Sequence, residues 1–328
     1  MKSSSVIIFC VVRKRAHHST PAVRFRLDFE SNSPLEEKKM HVGYIGLGLM
    51  GRPCALHLHN AGHKLAVYAR RQVSLAPFEE AGANICMTPA AVAGDSDVIF
   101  VNVSDTPDVE QVVLGENGII HGAKPGSVVV DMSTISPVAT REIATALKEK
   151  GIHMLDAPVS GGSMGAEAGT LSIMVGGEPE IFERILPLFE VMGSNIVHIG
   201  ENGAGQVTKA CNQIVITQTI AGIAEAWCMA DAMGVDKRKV REALMGGFAS
   251  SRIMELHGQK MIDGDYTPGF KSVLHKKDMN MVLQAASALG LSLPGSALAT
   301  QWLNALVGQG DDDLDSSAIY SILRKLNA

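Results

Sequence analysis

Four groups of residues carry types and spacings that suit chemistry. The first is Gly46-Leu47-Gly48-Leu49-Met50-Gly51, a GxGxxG turn between a strand-like run and a helix-like run. In that context the pattern cradles a dinucleotide. Gly46 permits the tight turn, Gly48 admits a pyrophosphate close to the backbone, and Gly51 lets the helix pack on the strand. Free N–H groups and the helix dipole then favour the phosphate charge. The second group, Arg70 and Arg71, follows the next strand-like run, where an NAD site usually has an acid. Two guanidinium groups there suit a 2′-phosphate, which favours NADP(H), with NAD(H) the alternative cofactor. Both Arg as plain surface charges is the competing reading.

The third group lies in Gly203-Ala204-Gly205-Gln206-Val207-Thr208-Lys209-Ala210-Cys211-Asn212-Gln213. On a helix, Lys209, Asn212 and Gln213 share a face of otherwise apolar character. Burial lowers the pKa of a lysine and prepares it as a general acid. An interdomain lysine paired with a carboxylate fits the sequence equally well. The fourth group comprises two strand ends, Asp131-Met132-Ser133-Thr134 and Asp156-Ala157-Pro158-Val159-Ser160-Gly161-Gly162. Ligands bind at the carboxyl ends of strands in open α/β sheets. The hydroxyl of Ser160 and the N–H groups of Gly161 and Gly162 suit a substrate carboxylate.

The elements that must hold these groups alternate between residues 41 and 200. Strand-like runs are His41–Gly46, Lys64–Ala69, Val98–Val103, Ser127–Asp131, Ile152–Asp156, Leu171–Gly176 and Ile196–Ile199. Helix-like runs are Met50–Asn60, Pro107–Val113, Pro137–Lys150 and Pro179–Val191. This predicts an α/β fold, an N-terminal doubly wound Rossmann-type domain over residues 40–202. From Gly203 on only helices are predicted: a long apolar one over Ala204–Met233, then Asp236–Met245, Ser251–Met261, Ser272–Leu289, Pro294–Val307 and Ser316–Leu326. The reading is a C-terminal all-helical domain over 203–328, with 203–233 as the interdomain helix.

Composition narrows the functional classes. The 328 residues are ample for a core, and a net charge of −5 argues against a nucleic-acid binder. The N-terminal aliphatic run, Val6–Val12, is too short to span a bilayer. Five cysteines without a CxxC pair argue against a disulfide framework and for a reducing compartment, and no metal site is expected. His57 and His59, two apart, would face different ways on a helix. Residues 1–39 differ from the rest: up to Leu27 they hold six Lys/Arg and no acid. They are expected to be a disordered or non-native extension, Met40 being the functional start. An organellar transit segment is the other reading. Residues 40–328 then carry a net charge of −9, and the expected location is cytoplasmic.

The GLGLMG turn, DMSTISP, DAPVSGG, GAGQVTKACNQ and the Phe270–Met279 stretch ending HKKDM together resemble the β-hydroxyacid dehydrogenases (the 3-hydroxyisobutyrate dehydrogenase-like family), in order over about residues 40–325. MGGFASSR at 245–252 and LSIMVGG resemble the branch that reduces a short semialdehyde acid. The resemblance implies a hydride transfer between a nicotinamide cofactor and a small hydroxyacid or semialdehyde substrate, with Lys209 as the catalytic residue. It implies substrate contacts at Ser160, Gly161 and Gly162 and at the amides Asn212 and Gln213; Ser133, read from its strand end, is a further candidate for substrate binding. The family's cofactor contacts fall on the turn Gly46, Leu47, Gly48, Leu49, Met50 and Gly51, then on Val103, Ser104, Thr134 and Lys277, beside the Arg70 and Arg71 already read from the residues. Many relatives carry Asn four residues after the lysine, where this chain has Gln213. Related specificities are 3-hydroxyisobutyrate and glyoxylate/succinic semialdehyde. A 6-phosphogluconate-type substrate would need basic residues near Ser160, and none stands there. A catalytically silent dinucleotide-binding module is the reading from another class. A homodimer or homotetramer is expected, without nucleic-acid or membrane partners.

Overall fold

The computed structural model describes residues 39–327, so the extension expected at 1–39 lies, except for Lys39, outside the described residues. Nine strands form one sheet: β1 (His41–Ile45), β2 (Lys64–Tyr68), β3 (Asn84–Ile85), β4 (Val98–Val101), β5 (Val128–Asp131), β6 (His153–Asp156), β7 (Val159–Ser160), β8 (Leu171–Gly176) and β9 (Gly193–Gly200). Around it lie α1 (Gly51–Asn60), α2 (Ala76–Glu80), α3 (Pro89–Gly94), α4 (Thr106–Leu114), α5 (Ile119–Gly122), α6 (Pro137–Lys148), α7 (Gly162–Ala168) and α8 (Pro179–Glu190). The remaining helices are α9 (Ala204–Ala232), α10 (Lys237–Met245), α11 (Arg252–Asp263), α12 (Ser272–Ala288), α13 (Pro294–Gly308) and α14 (Ile319–Leu326).

The sheet order begins β3-β2-β1-β4-β5-β6, all parallel, which is the doubly wound Rossmann arrangement. Strands β4 and β5 are buried at every position, because helices cover both faces and their VIFV and VVVD sequences have no polar side to offer solvent. One core cluster packs on each face: Tyr44, Phe100, Val130 and Phe189 on one, Ile45, Val101, Ile143 and Leu147 on the other. Helix starts follow their caps. Asp105 accepts from Thr106 N–H and Ser136 from Val138 N–H, so Pro107 and Pro137 sit in first turns where a missing N–H costs nothing.

The far side of the sheet departs from the simple alternation. β8 runs antiparallel to β6 (Asp156 opposite Gly176), and β9 runs parallel to β8. The link over 157–170 holds only the two-residue β7 and the seven-residue α7, too little for the crossover helix a parallel neighbour needs. β9 is also longer than the expected Ile196–Ile199. The short elements β3, β7, α2, α3, α5 and α7 are too brief to show a hydrophobic period, and the sequence pattern does not predict them.

The expected long helix is α9, which ends one residue early at Ala232. Its C-terminal half forms the centre of the helical core: Ile220, Ala224 and Trp227 pack with Met261, Met279, Leu303 and Tyr320. Trp227 is fully buried, and its Nε1–H donates to the Gly258 carbonyl at 3.0 Å. Among the described residues no helix is long and apolar enough to cross a membrane.

Candidate functional site

The glycine turn has the form its spacing predicts. Gly46 has φ +99°, a conformation that L side chains rarely adopt, and a Cβ there would lie 2.1 Å from the Asn102 carbonyl oxygen. A Cβ on Gly51 would lie 2.0 Å from the Gly46 carbonyl oxygen. A Cβ on Gly48 would have nothing within 4 Å. Gly46 N–H donates to Tyr68 and Arg52 N–H to Gly48, while the N–H groups of Gly48, Leu49 and Met50 have no acceptor among the described residues. Open space on Gly48 beside N–H groups without an acceptor among the described residues, at a helix start, suits a phosphate, so the residues present fit a dinucleotide.

Arg70 and Arg71 follow β2 and are both exposed. Arg70 pairs with Asp108 at 3.1 Å, its side chain 72% exposed. A pair this exposed holds at most about 1 kcal/mol.

The ends of β5 and β6 are tied to the start of α9. Asp156, wholly buried, accepts from the N–H groups of Gly203 (2.7 Å) and Gln206 (3.0 Å), so a carboxylate caps the positive end of the longest helix. Gln206 is 2% exposed, with Nε2 donating to the Ser133 carbonyl (2.8 Å) and Oε1 accepting from Ile135 N–H (3.1 Å). A Cβ on Gly205 would lie 2.3 Å from the Met174 carbonyl oxygen, so the helix lies directly on β8. These contacts fix Lys209, one turn further along.

Lys209 is 8% exposed, and its Nζ donates to the Val159 carbonyl at 2.8 Å. It makes no ion pair among the described residues, so the carboxylate-paired reading of this lysine does not hold. Burial pulls its ammonium below the usual lysine range; Asp278 opposes that shift and Lys277 adds to it. The next residue, Ser160, has a hydroxyl bonded to nothing among the described residues. Gly161 (φ +135°) and Gly162 (φ +62°) turn the chain from β7 into α7.

Three predicted residues are more enclosed than their expected roles suggest. Ser133 is 2% exposed; its Oγ accepts from Val103 N–H (3.0 Å) and its N–H donates to Asp131 (2.9 Å). It supports the backbone beside the site. Gln213, also buried, has both ends of its amide engaged: Nε2 donates to Asp278 (2.7 Å) and Oε1 accepts from Asn212 (2.9 Å). Lys277 Nζ donates to the carbonyls of Ser104 (3.0 Å) and Thr134 (2.7 Å) and lies 3.0 Å from Asp278 Oδ1. That last approach is a charge contact rather than an aligned hydrogen bond. Lys277 thus staples α12 to the ends of β4 and β5.

Sequence reasoning missed Asp278 and Gln206. The signal for Asp278 was a polar position on the buried face of α12, in step with His275, Met279, Val282 and Ala286. For Gln206 it was the i, i+3 spacing to Lys209. Asp131 is fully buried, and burial pushes its carboxyl up to about 7 against the bonds from Ser133. Its Oδ2 has no partner among the described residues.

The profile of the NAD binding domain of 6-phosphogluconate dehydrogenase matches residues 41–200, and that described as NAD-binding of NADP-dependent 3-hydroxyisobutyrate dehydrogenase matches 203–323. The chain is 47% identical over 288 residues to 2-hydroxy-3-oxopropionate reductase of Escherichia coli K12, covering 87% of this chain and 97% of the relative. It is 36% identical over 291 residues to 2-(hydroxymethyl)glutarate dehydrogenase of Eubacterium barkeri, covering 88% and 97%. Among solved structures, 3-hydroxyisobutyrate dehydrogenase from Salmonella typhimurium superposes with a TM-score of 0.78 at 32% identity, covering 87% of this chain and 100% of that one. The Mycobacterium tuberculosis 3-hydroxyisobutyrate dehydrogenase gives 0.80 at 28%, covering 87% and 99%. With a dinucleotide seat at one end of the sheet and a buried lysine at the start of the helical part, the chain belongs to the 3-hydroxyisobutyrate dehydrogenase family and is an NAD(P)-dependent oxidoreductase acting on 3-hydroxyacids.

Proposed function

We propose that this enzyme reduces tartronate semialdehyde (2-hydroxy-3-oxopropionate) to D-glycerate with NADPH in preference to NADH, Lys209 being the general acid. The observation that carries the reading is Lys209 itself: a buried ammonium held at the Val159 carbonyl, next to Ser160, with neither a carboxylate on the ammonium nor a partner on the Ser160 hydroxyl among the described residues. The 47% identity to a 2-hydroxy-3-oxopropionate reductase supports the substrate.

The turn Gly46–Gly51 would hold the pyrophosphate and Arg70 with Arg71 the 2′-phosphate. Val103, Ser104, Thr134 and Lys277 would face the nicotinamide end. When bound, the cofactor supplies a hydride to the carbonyl carbon. Ser160 and the N–H groups of Gly161 and Gly162 hold the substrate carboxylate. Lys209 gives a proton to the carbonyl oxygen as negative charge develops there, so the aldehyde gains two electrons and two hydrogens. The protein's part is orientation and charge stabilisation.

Residues 40–202 act as the cofactor domain and 203–328 as the helical domain in this reading. Exposed Val207, Val215 and Met229 lie along one side of α9 and support a homodimer or homotetramer. Among the described residues Cys54, Cys86, Cys211 and Cys228 are free thiols, which fits a reducing, cytoplasmic setting.

The test is NADPH and NADH consumption against tartronate, methylmalonate and succinic semialdehydes and glyoxylate. A clear kcat/KM preference for tartronate semialdehyde is expected. Preference for another aldehyde would move the substrate toward 3-hydroxyisobutyrate or glyoxylate/succinic semialdehyde chemistry. Tight cofactor binding without turnover on any of them would favour a silent module.

A further inference from the structure

A chain of side chains runs through the site: Lys277, Asp278, Gln213, Asn212. Its ends differ in kind, and chemistry fixes its direction. Asp278 is 2% exposed and held beside the Lys277 ammonium, so it meets its neighbour as a carboxylate, which only accepts. Gln213 must therefore turn its NH2 toward Asp278, at 2.7 Å, and that leaves Oε1 facing the other way. Asn212 must in turn present its own NH2 to that oxygen, at 2.9 Å. The carbonyl oxygen Oδ1 of Asn212 is then left outward, and it accepts no hydrogen bond among the described residues. Asn212 stands one turn beyond Lys209 on the same face of α9 and is half-buried.

We infer that Asn212 Oδ1 is a hydrogen-bond acceptor selecting substrates with a hydroxyl beside the aldehyde, and that Gln213 is the positioning residue that fixes its orientation. This rests on the reading of the site given above. In an ionised aldehyde acid the carboxylate and the carbonyl are acceptors only. The one group able to donate to Asn212 is a hydroxyl on the carbon between them. A methyl group of similar size on that carbon leaves the acceptor unpaired, and a site built for a hydroxyl rejects the analogue lacking it more strongly than an apolar pocket rejects an extra methylene. The longer side chain at 213 matters here: its amide reaches Asp278, 65 residues away in sequence, while keeping contact with Asn212.

The experiment compares kcat/KM for tartronate semialdehyde and methylmalonate semialdehyde, which differ only by hydroxyl for methyl. It uses the wild type, Asn212→Leu, Gln213→Leu and Asp278→Asn, with NADPH affinity and Tm recorded as checks on folding. The wild type should prefer the hydroxyl substrate by about tenfold or more. Asn212→Leu should bring the ratio close to one by removing the acceptor. Gln213→Leu and Asp278→Asn should each lower it by freeing the Asn212 amide to turn. A merely structural role would lower both substrates together and leave the ratio alone. A wild-type preference that survives Asn212→Leu and Gln213→Leu overturns this inference and leaves the substrate assignment standing. A wild type without the preference overturns both.

Discussion

The Gly51 α-carbon faces the Gly46 carbonyl so closely that a Cβ would fall 2.0 Å from its oxygen, while Gly48 between them opens on empty space. Three glycines of one motif therefore answer to different constraints. Gly48→Val should weaken NADPH binding at least tenfold and leave Tm nearly unchanged. Gly51→Ala should lower Tm by several degrees, because backbone rather than a flexible side chain must move. Cofactor titration and thermal unfolding of the two variants check this. A large Tm loss for Gly48→Val would remove the argument that its space belongs to the ligand.

The Arg70–Asp108 pair bears on cofactor choice. Its carboxylate accepts from Nη1 of the guanidinium that, in the proposed reading, a 2′-phosphate would use. Replacing both Arg70 and Arg71 with Ala should weaken NADPH by a factor of about ten or more and NADH far less. Asp108→Ala should tighten NADPH a few-fold by releasing Arg70. Dissociation constants for both cofactors decide the matter, and equal losses in the double variant would leave NADP preference without its basis.

Much of this was legible because its determinants are local. The glycine turn, the Arg pair and the Lys209–Asn212–Gln213 face are set by spacings of a few residues, and the buried β4 and β5 announce themselves by unbroken apolar runs. The direction of β8 and β9 was not legible, since direction depends on what the 157–170 link can span rather than on the strands' own residues. The two-residue β3 and β7 are too short for any period. Asp278 and Gln206 escaped notice because the groups they hold come from elsewhere in the chain: Gln206 reaches 73 residues back to Ser133. The same long-range bonds enclose Ser133 and Gln213, which by residue type alone look ready to meet a substrate.

Asp131 gives a prediction about stability. In the unfolded chain its carboxyl ionises near the ordinary value of 3.8, and in the folded protein near about 7. Between these values the unfolded chain has released a proton that the folded one keeps. Stability therefore falls as pH rises from about 4 to about 7 and levels off above. Asp156, its neighbour in the ladder, is likewise raised by burial. Asp131→Asn cannot titrate and keeps an acceptor for Ser133 N–H. Its Tm relative to wild type should rise by several degrees between pH 4.5 and pH 8. A difference that stays constant across that range would show that Asp131 does not carry the shift.

Lys209 links the geometry to the rate. As the proposed general acid, Lys209 would work in aldehyde reduction as the ammonium, so kcat/KM should fall as pH rises through its pKa. Burial places that pKa below the ordinary 10.5, and the falling limb should lie correspondingly lower. Asp278 opposes the shift, so Asp278→Asn should move the limb to still lower pH. In the oxidation direction the neutral amine is the working form, and the same pKa should appear as a rising limb. Lys209→Ala should keep NADPH binding while kcat drops by a factor of about 10²–10⁴ and the limb disappears. Rapid turnover by that variant, or a limb that persists in it, would mean that the proton comes from another group.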